Sequence, residues 1–207
     1  MATTIISWDV PEFDLTGYEV IGKLNEGGTS NVWKGKHLST GMPVAIKILK
    51  EEYRSSWGDR KTFFNEFTIL KKLKHQRVMT AKETIKGKVP AIIMPYFAGD
   101  NLKLHFMKRP EFVRKNRLRI SLQMASALYH CHANKVMHND FKPENILVNM
   151  QGDSKLIDFG LALQLGWLAS LTGSKKPIAG TPSYMAPEII KKEKVDHRAD
   201  IYALGVT

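Results

Sequence analysis

Cysteine is almost absent from this sequence of 207 residues, in which Cys131 stands alone. A single cysteine cannot form an internal disulfide, which excludes a disulfide-stapled secreted domain and suits a reducing compartment. Histidines flank Cys131, but adjacent helix residues point in different directions and a zinc site needs further ligands. We therefore interpret Cys131 as an apolar helix residue and expect a cytoplasmic protein.

A long hydrophobic run is also missing. Residues 1–17 have neither the basic start nor the apolar segment of a signal peptide. The most apolar stretch, residues 161–171, is too short to cross a bilayer. We therefore expect no membrane segment within this chain.

Acidic residues are few beside the basic ones, because 31 lysines and arginines oppose 20 aspartates and glutamates, a net charge of +11. An excess of positive charge favours anionic partners. The basic residues are scattered, however, and neither interleaved aromatic residues nor zinc-finger spacing accompanies them. We expect affinity for phosphates or acidic partners and no specific nucleic-acid binding.

The first half of the chain has the patterns of a small sheet with one helix. Alternating runs broken by glycine predict three antiparallel strands within residues 18–50. Helical spacing follows over residues 59–74, and apolar runs at 78–85 and 89–96 would complete the sheet. Glu66 lies on the apolar stripe of that helix, where a carboxylate is costly unless paired, so we predict a nearby cation.

The best domain boundary is the turn-forming sequence Gly99-Asp100-Asn101. We divide the chain into an extension over 1–17, a first lobe with its hinge over 18–97 and a second lobe over 98–207.

The second lobe is predicted to be mainly helical. A 3-4 spacing predicts a long helix ending near Asn134; its apolar residues at this spacing are Leu118, Leu122, Ala125 and Tyr129. Strand-like runs at 146–148 and 155–157 flank a hairpin at Gly152-Asp153.

Two short runs carry most of the chemistry: His138-Asn139-Asp140-Phe141-Lys142-Pro143-Glu144-Asn145 and Asp158-Phe159-Gly160. Together they offer two carboxylates, an ammonium and a carboxamide that could converge on one site. Phosphoryl transfer needs such a set, because the acceptor requires an orienting base and Mg²⁺ requires oxygen ligands.

Three other segments fit the same chemistry. Residues 24–32, between two predicted strands, are rich in glycine and small polar residues, so backbone N–H groups can approach phosphate oxygens. Val44-Ala45-Ile46-Lys47 places a lysine on a strand, and residues 180–188 end in Ala186-Pro187-Glu188.

Taken in order, these segments resemble the motifs of serine/threonine protein kinases from about residue 18 to the last residue. The resemblance implies an α+β, bilobal fold: a small antiparallel sheet with one helix, then a mainly helical lobe that is truncated in its central helix. It implies ATP and Mg²⁺ as cofactors, and serine or threonine hydroxyls of protein substrates as acceptors.

The resemblance also assigns catalytic and metal-binding roles. Asp140 would orient the acceptor hydroxyl and take its proton, Lys142 would stabilise charge on the transferred group, and Thr181 would hydrogen-bond both. Asn145 and Asp158 would ligate Mg²⁺. In addition, Asp200 would brace the catalytic loop, and His138 would pack rather than react.

Nucleotide contacts are implied mostly for the first lobe. Lys47, held by Glu66, would bind the α- and β-phosphates. The other implied contacts come from the glycine-rich loop, the strands, the hinge and the second lobe: Leu24, Gly27, Gly28, Val32, Ala45, Met94, Tyr96, Phe97 and Leu147.

Some positions depart from the family pattern. Asn25 and Ser30 replace the first and third glycines of the glycine-rich loop. Asn139 stands where most regulated kinases carry an arginine whose charge a phosphorylated loop residue neutralises. We therefore hypothesise that activity is independent of phosphorylation of the activation loop, whose candidate phosphosites are Ser170, Thr172 and Ser174.

Two features bear on partners. The segment 161–171 is unusually apolar, so it either packs on the body of the protein or docks a partner. In some relatives a glutamate at the position of Glu144 reads a basic residue upstream of the acceptor; the alternative is a solvated loop acid.

The chain stops at Thr207, inside the implied central helix. We expect uncovered apolar faces on the helices near residues 118 and 200, no partner for Glu188, and a marginally folded or aggregating piece. Two rival functions stay open: a pseudokinase or scaffold that binds nucleotide without turnover, and a small-molecule kinase. Residues 180–188 argue against the second, because they resemble a platform for protein substrates.

Overall fold

The computed structural model describes residues 13–164 and 180–207, which form two compact units. Within the described residues, the first unit consists of 13–71 with 80–97, and the second of 72–79 with 98–164 and 180–207. The candidate phosphosites and residues 165–171 of the apolar segment lie outside the described residues.

The first unit contains a five-stranded antiparallel sheet in the order β1-β2-β3-β5-β4. Its strands are β1 (Tyr18–Glu26), β2 (Ser30–His37), β3 (Pro43–Leu49), β4 (Glu83–Ile85) and β5 (Ala91–Pro95). A short helix α1 (Glu51–Arg54) precedes the longer helix α2 (Trp57–Lys72). The three antiparallel strands predicted within residues 18–50 are confirmed.

Alternation along β3 gives the sheet two different faces. Val44, Ile46 and Ile48 are 1, 0 and 2% exposed and pack in one apolar cluster with Trp33 of β2. Because successive strand residues point to opposite faces, Ala45 and Lys47 lie on the other face. The apolar cluster therefore fixes the register that positions this second face.

The second unit is mainly helical, as predicted. Its elements are β6 (Asp100–Asn101), α3 (Leu102–Lys108), α4 (Pro110–Ala133), β7 (Val136–Met137), β8 (Ile146–Val148), β9 (Ser154–Leu156), β10 (Leu163–Gln164), α5 (Pro187–Ile190) and α6 (Arg198–Val206), with 3-10 turns at Pro143–Asn145 and Pro182–Tyr184. Strands β6, β8 and β9 form one small sheet, and β7 pairs with β10. Asn101 begins α3, because its side chain accepts a hydrogen bond from the Leu104 N–H at 2.9 Å.

Helix α4 has two apolar faces, and the stripe with the predicted spacing is the exposed one. Leu118, Leu122 and Tyr129 are 69, 63 and 76% exposed. The opposite face enters the core through Val113, Ile120, Met124, Ala127, Leu128 and Cys131. The sequence identified the helix but not its buried side, because both faces carry apolar residues. On α6, Ile201, Tyr202 and Val206 are 48, 44 and 46% exposed, so within the described part of the chain both helices have exposed apolar residues, as we expected.

Residues 72–79 pack in the second unit, although the sequence groups them with the first lobe. The Leu156 N–H donates to the Arg77 carbonyl at 2.8 Å, and the Arg77 guanidinium pairs with Asp153 at 3.0 Å. The His75 and His130 rings also stack, with centroids 4.9 Å apart. These partners lie far along the sequence, so local pattern could not assign the segment.

Lys135, immediately after α4 and Asn134, has a left-handed backbone with φ of 61°. A Cβ in this region costs roughly 1–2 kcal/mol, whereas glycine adopts it freely at some entropic cost. We expect Lys135→Gly to raise the free energy of unfolding by about 1 kcal/mol. Urea unfolding measures the change, with Lys135→Ala as the matched control that retains the Cβ. Equal stability of the two variants would contradict the prediction.

Candidate active site

The register of the first sheet brings four of the predicted nucleotide contacts onto one face. Val32 pairs with Lys47 between β2 and β3, and Ala45 pairs with Met94 between β3 and β5. Residues paired across antiparallel strands share a face. This face is opposite the apolar cluster around Trp33, so the four side chains are held by a rigid support.

The predicted glycine-rich loop is the tight turn between β1 and β2. The Gly27 N–H donates to the Ser30 carbonyl at 2.9 Å, and a Cβ at Gly27 would lie 2.8 Å from the same oxygen. Gly27 is therefore required by the turn itself, whereas a Cβ at Gly28 would meet open space. Leu24 of β1 is 39% exposed beside this turn.

The predicted hinge residues follow β5. Tyr96 and Phe97 are half-buried, and the Lys34 ammonium lies 4.9 Å from the Tyr96 ring centroid. Leu147 belongs to the second unit, where it is the middle residue of β8 and pairs with Lys155 of β9.

Lys47 and Glu66 form a buried ion pair within the first unit. The Lys47 Nζ lies 2.6 Å from the Glu66 Oε2, and the two residues are only 8 and 3% exposed. The cation predicted from the position of Glu66 is thus confirmed as Lys47. Pairing fixes the flexible lysine side chain, so its charge is preorganised on the sheet face.

In the second unit, three predicted catalytic residues meet around one carboxylate. The Thr181 hydroxyl donates to Asp140 Oδ1 at 2.8 Å, and Lys142 Nζ lies 2.7 Å from Asp140 Oδ2. Lys142 also donates to the Thr181 hydroxyl oxygen at 2.7 Å. A carboxylate, an ammonium and a hydroxyl are therefore held together although 41 residues separate Asp140 from Thr181.

Asn145 donates a hydrogen bond to the same carboxylate, and its side-chain orientation would also allow it to bind a metal. Its Nδ2 donates to the Asp140 carbonyl at 2.8 Å and to Asp140 Oδ2 at 3.1 Å. With the amide nitrogen committed, the Asn145 Oδ1 is the atom left for a cation. Mg²⁺ is bound through few protein oxygens together with substrate phosphates, so one amide oxygen and one carboxylate fit it.

Asp158, the second predicted metal ligand, is exposed and has a left-handed backbone with φ of 61°. The preceding residue, Ile157, donates its N–H to the Asn145 carbonyl at 2.9 Å. This bond ties the chain at Asp158 to the residue that would share the metal.

Gly180 brings residues 180–188, the end of the activation segment, into contact with the catalytic loop, residues 138–145. Its φ is 122°, and a Cβ there would lie 2.9 Å from the Asn139 carbonyl oxygen. Glycine is therefore required both by backbone conformation and by close approach. Because Thr181 follows directly, this contact places its hydroxyl beside Asp140.

Asp200 of α6 holds the catalytic loop, as the resemblance implied. Its two oxygens accept the backbone N–H groups of His138 and Asn139, each at 2.9 Å, and His132 Nε2 lies 2.8 Å away. Burial raises the pKa of Asp200, but the hydrogen bond from His132 and the other interactions outweigh burial and lower it below the ordinary value. The carboxylate thus remains charged, which keeps both backbone bonds strong.

The loop conformation suits asparagine at position 139. The φ of Asn139 is 67°, a left-handed value that asparagine tolerates better than most residues. Its side chain points toward the Leu161 carbonyl, with 3.4 Å between Nδ2 and the oxygen.

His138 packs, as predicted, and both of its ring nitrogens contact the backbone. Its Nδ1 accepts the Asp140 N–H at 3.4 Å, and its Nε2 lies 3.0 Å from the Ile157 carbonyl, which can only accept. The ring also meets Phe159 edge to face, with centroids 4.7 Å apart.

Sequence reasoning missed two partners around the site. His132, interpreted as an ordinary neighbour of Cys131, contacts Asp200, and Lys103 contacts Glu144 at 2.6 Å. No signal in the sequence marked these partners.

Comparison with known proteins gives a consistent result. The family model described as protein kinase domain matches residues 18–207. CBL-interacting protein kinase 25 of Oryza sativa subsp. japonica is 31% identical over 95% of this chain and 39% of its own length. The probable serine/threonine-protein kinase MARK-C of Dictyostelium discoideum is 34% identical over 91% of this chain and 24% of its own length. The serine/threonine-protein kinase fused of Drosophila melanogaster is 31% identical over 91% of this chain and 23% of its own length. The chain thus spans less than half the length of these relatives.

Proposed function

Because this chain belongs to the protein kinase family, we propose that it transfers the γ-phosphoryl group of ATP to serine and threonine hydroxyls of protein substrates. The observation that carries the proposal is the cluster in which Asp140 accepts from Thr181 and contacts Lys142 and Asn145. Phosphoryl transfer depends mainly on positioning and charge stabilisation, and this cluster supplies both.

Each group of the cluster has one task in this proposal. Asp140 accepts a hydrogen bond from the substrate hydroxyl, orients it for attack and takes its proton. The Lys142 ammonium stabilises negative charge on the transferred phosphoryl oxygens. Thr181 bonds both side chains and so keeps their separation fixed.

ATP and Mg²⁺ are the proposed cofactors. The Lys47 ammonium would bind nucleotide phosphates, and Asn145 Oδ1 with the Asp158 carboxylate would hold Mg²⁺. When bound, the metal neutralises the charge of the phosphate oxygens. Lys47 and Glu66 prepare this binding before nucleotide arrives, because their pairing already orders the lysine side chain.

We also propose a cytoplasmic location, supported by the single cysteine, which is buried. Among residues 13–164 and 180–207, no helix is long and apolar enough to cross a membrane. Docking of a partner on residues 161–171 stays a proposal that rests on their apolar sequence.

Transfer of labelled γ-phosphate tests the function. The protein is incubated with Mg²⁺, γ-labelled ATP and a generic protein substrate, and the labelled amino acid is identified after hydrolysis. We expect phosphoserine or phosphothreonine, and loss of label on chelation of Mg²⁺. Nucleotide binding without transfer would support the scaffold instead, and transfer only to small molecules would support the other rival.

The neutral side chain at position 139 leads to a prediction about regulation. Asn139 presents no positive charge for a loop phosphate to neutralise. We expect replacement of Ser170, Thr172 and Ser174 together by alanine to change kcat by less than about threefold. The neutral side chain of Asn139 has no charge that a phosphate must compensate. Phosphatase-treated protein provides the control. Abolished activity in a folded triple variant would overturn the hypothesis.

A further inference from the structure

An ion pair that the sequence did not reveal lies beside the catalytic cluster. The Lys103 Nζ, in the first turn of α3, is 2.6 Å from Glu144 Oε1, in the 3-10 turn Pro143–Asn145. Glu144 directly precedes Asn145, whose amide bonds Asp140. The side chains of Lys103 and Glu144 are 57 and 32% exposed, so solvent and a passing peptide can reach the pair.

The Lys103–Glu144 pair interacts electrostatically with residues around the Asp140 cluster. Burial raises the pKa of Glu144, but the hydrogen bond and charge of Lys103, with a contribution from Lys142, lower it overall. The hydrogen bond that Lys103 donates to Glu144 raises the pKa of Lys103, and the Tyr184 side chain raises it slightly further. Tyr184 belongs to the turn that follows Thr181. Both members of the pair thus interact with residues of the loops that carry the catalytic groups.

The bonding of Glu144 is incomplete. Lys103 occupies Oε1, whereas Oε2 is buried and accepts no hydrogen bond within the part of the chain that the structure describes. A buried carboxylate oxygen without a donor is unfavourable. A second hydrogen-bond donor would be stabilised beside the Glu144 carboxylate, but the Lys103 ammonium already occupies its more exposed oxygen.

We propose that Lys103 is a specificity-determining residue that occupies Glu144 in place of a basic residue of the substrate. The inference rests on the proposed function, since an acceptor hydroxyl must reach Asp140 and its flanking residues then pass the neighbouring loops. A substrate lysine would have to displace Lys103, and exchanging one ammonium for another gains little. An acidic flanking residue can instead pair with Lys103. The protein therefore does not favour a basic residue next to its acceptor.

Peptide kinetics with Lys103→Gln test this inference. A neutral host peptide with one serine receives a single lysine, or a single glutamate, at each flanking position in turn. We expect Lys103→Gln to raise kcat/KM for the best lysine peptide, relative to the neutral peptide, about threefold to fivefold, the range of a partly exposed ion pair. The gain should appear in KM rather than kcat, because only binding of the flanking residue changes.

Three further variants make the test specific. Lys103→Arg keeps the positive charge and should retain the preference of the parent protein. Lys103→Gln combined with Glu144→Gln should lose the gain in kcat/KM for the lysine peptide, because the Glu144 carboxylate that would bind the peptide lysine is gone. Lys108→Gln makes the same charge change at an exposed residue of the same helix and should leave the ratio unaltered. Equal effects of Lys103→Gln and Lys108→Gln, or no change in the ratio, would overturn the proposal.

A binding measurement separates this inference from the proposed function. Fluorescent peptides with alanine in place of the serine are titrated against each variant, so no turnover is needed. Tighter binding of the lysine peptide to Lys103→Gln supports the role of Lys103 even if no serine is phosphorylated, in which case only the proposed function fails. Unchanged affinities, with normal phosphorylation of the serine peptides, refute the inference alone.

Discussion

Replacement of Asp140 by asparagine should lower kcat by about 10² to 10⁴-fold, the usual contribution of a positioned general base. Asparagine is nearly isosteric, and its amide oxygen can still accept the Thr181 hydrogen bond seen at 2.8 Å. It cannot take a proton, and it removes the negative charge 2.7 Å from Lys142. The substrate would then bind beside a group that cannot deprotonate its hydroxyl.

The measurement compares kcat and KM for ATP in the parent protein and the variant. Because Lys47 and Glu66, the proposed phosphate-binding pair, are unaltered, KM for ATP should change by less than about threefold while kcat falls. Asp196→Asn is a matched control, since that carboxylate pairs with Arg198 at the surface. A fall of less than tenfold for Asp140→Asn would contradict the assignment of Asp140 as base.

Breaking the Lys47–Glu66 pair should give the largest effect on stability. Glu66→Leu removes the carboxylate that lies 2.6 Å from the Lys47 ammonium, which is 8% exposed. Removing one partner of a buried ion pair lowers the free energy of unfolding by about 3–5 kcal/mol. Removing both, as Lys47→Met with Glu66→Leu, should be less destabilising than the sum of the single changes, because the two groups stabilise each other and the double variant loses that interaction only once.

Denaturant unfolding of the two single variants and the double variant measures this coupling. The surface pair Lys23–Glu26 is the control, because the same substitutions there should change stability much less. If the single variants are already unfolded without denaturant, a folded double variant gives the same result. Additive losses would show that Lys47 and Glu66 do not depend on each other.

Local patterns were sufficient where one residue type repeats at a fixed period. Alternation within residues 18–50 predicted three strands, and these are β1, β2 and β3. The position of Glu66 on an apolar helix stripe predicted a nearby cation, because burying an unpaired carboxylate is too costly. In both cases the physical constraint acts on residues that are close in sequence or on a single side chain.

Sequence patterns gave a wrong prediction where two arrangements of the chain fit the same pattern. Helix α4 has apolar residues on both faces, and the 3-4 spacing of Leu118 and Leu122 marks the exposed one. Only packing against other elements determines which face is buried. Likewise, residues 72–79 belong to the second unit through Arg77 and its contacts with Asp153 and Leu156, about 80 residues away.

The sequence by itself determined the chemistry, because the residue types and spacings of the two runs around Asp140 and Asp158 suit phosphoryl transfer, and because asparagine at position 139 removes a charge. The tertiary structure alone decided which groups meet. It brought Thr181 to Asp140, His132 to Asp200 and Lys103 to Glu144, across separations of 41, 68 and 41 residues. A hydrogen bond depends on distances of a few tenths of an ångström, and only the folded chain fixes such distances between residues so far apart.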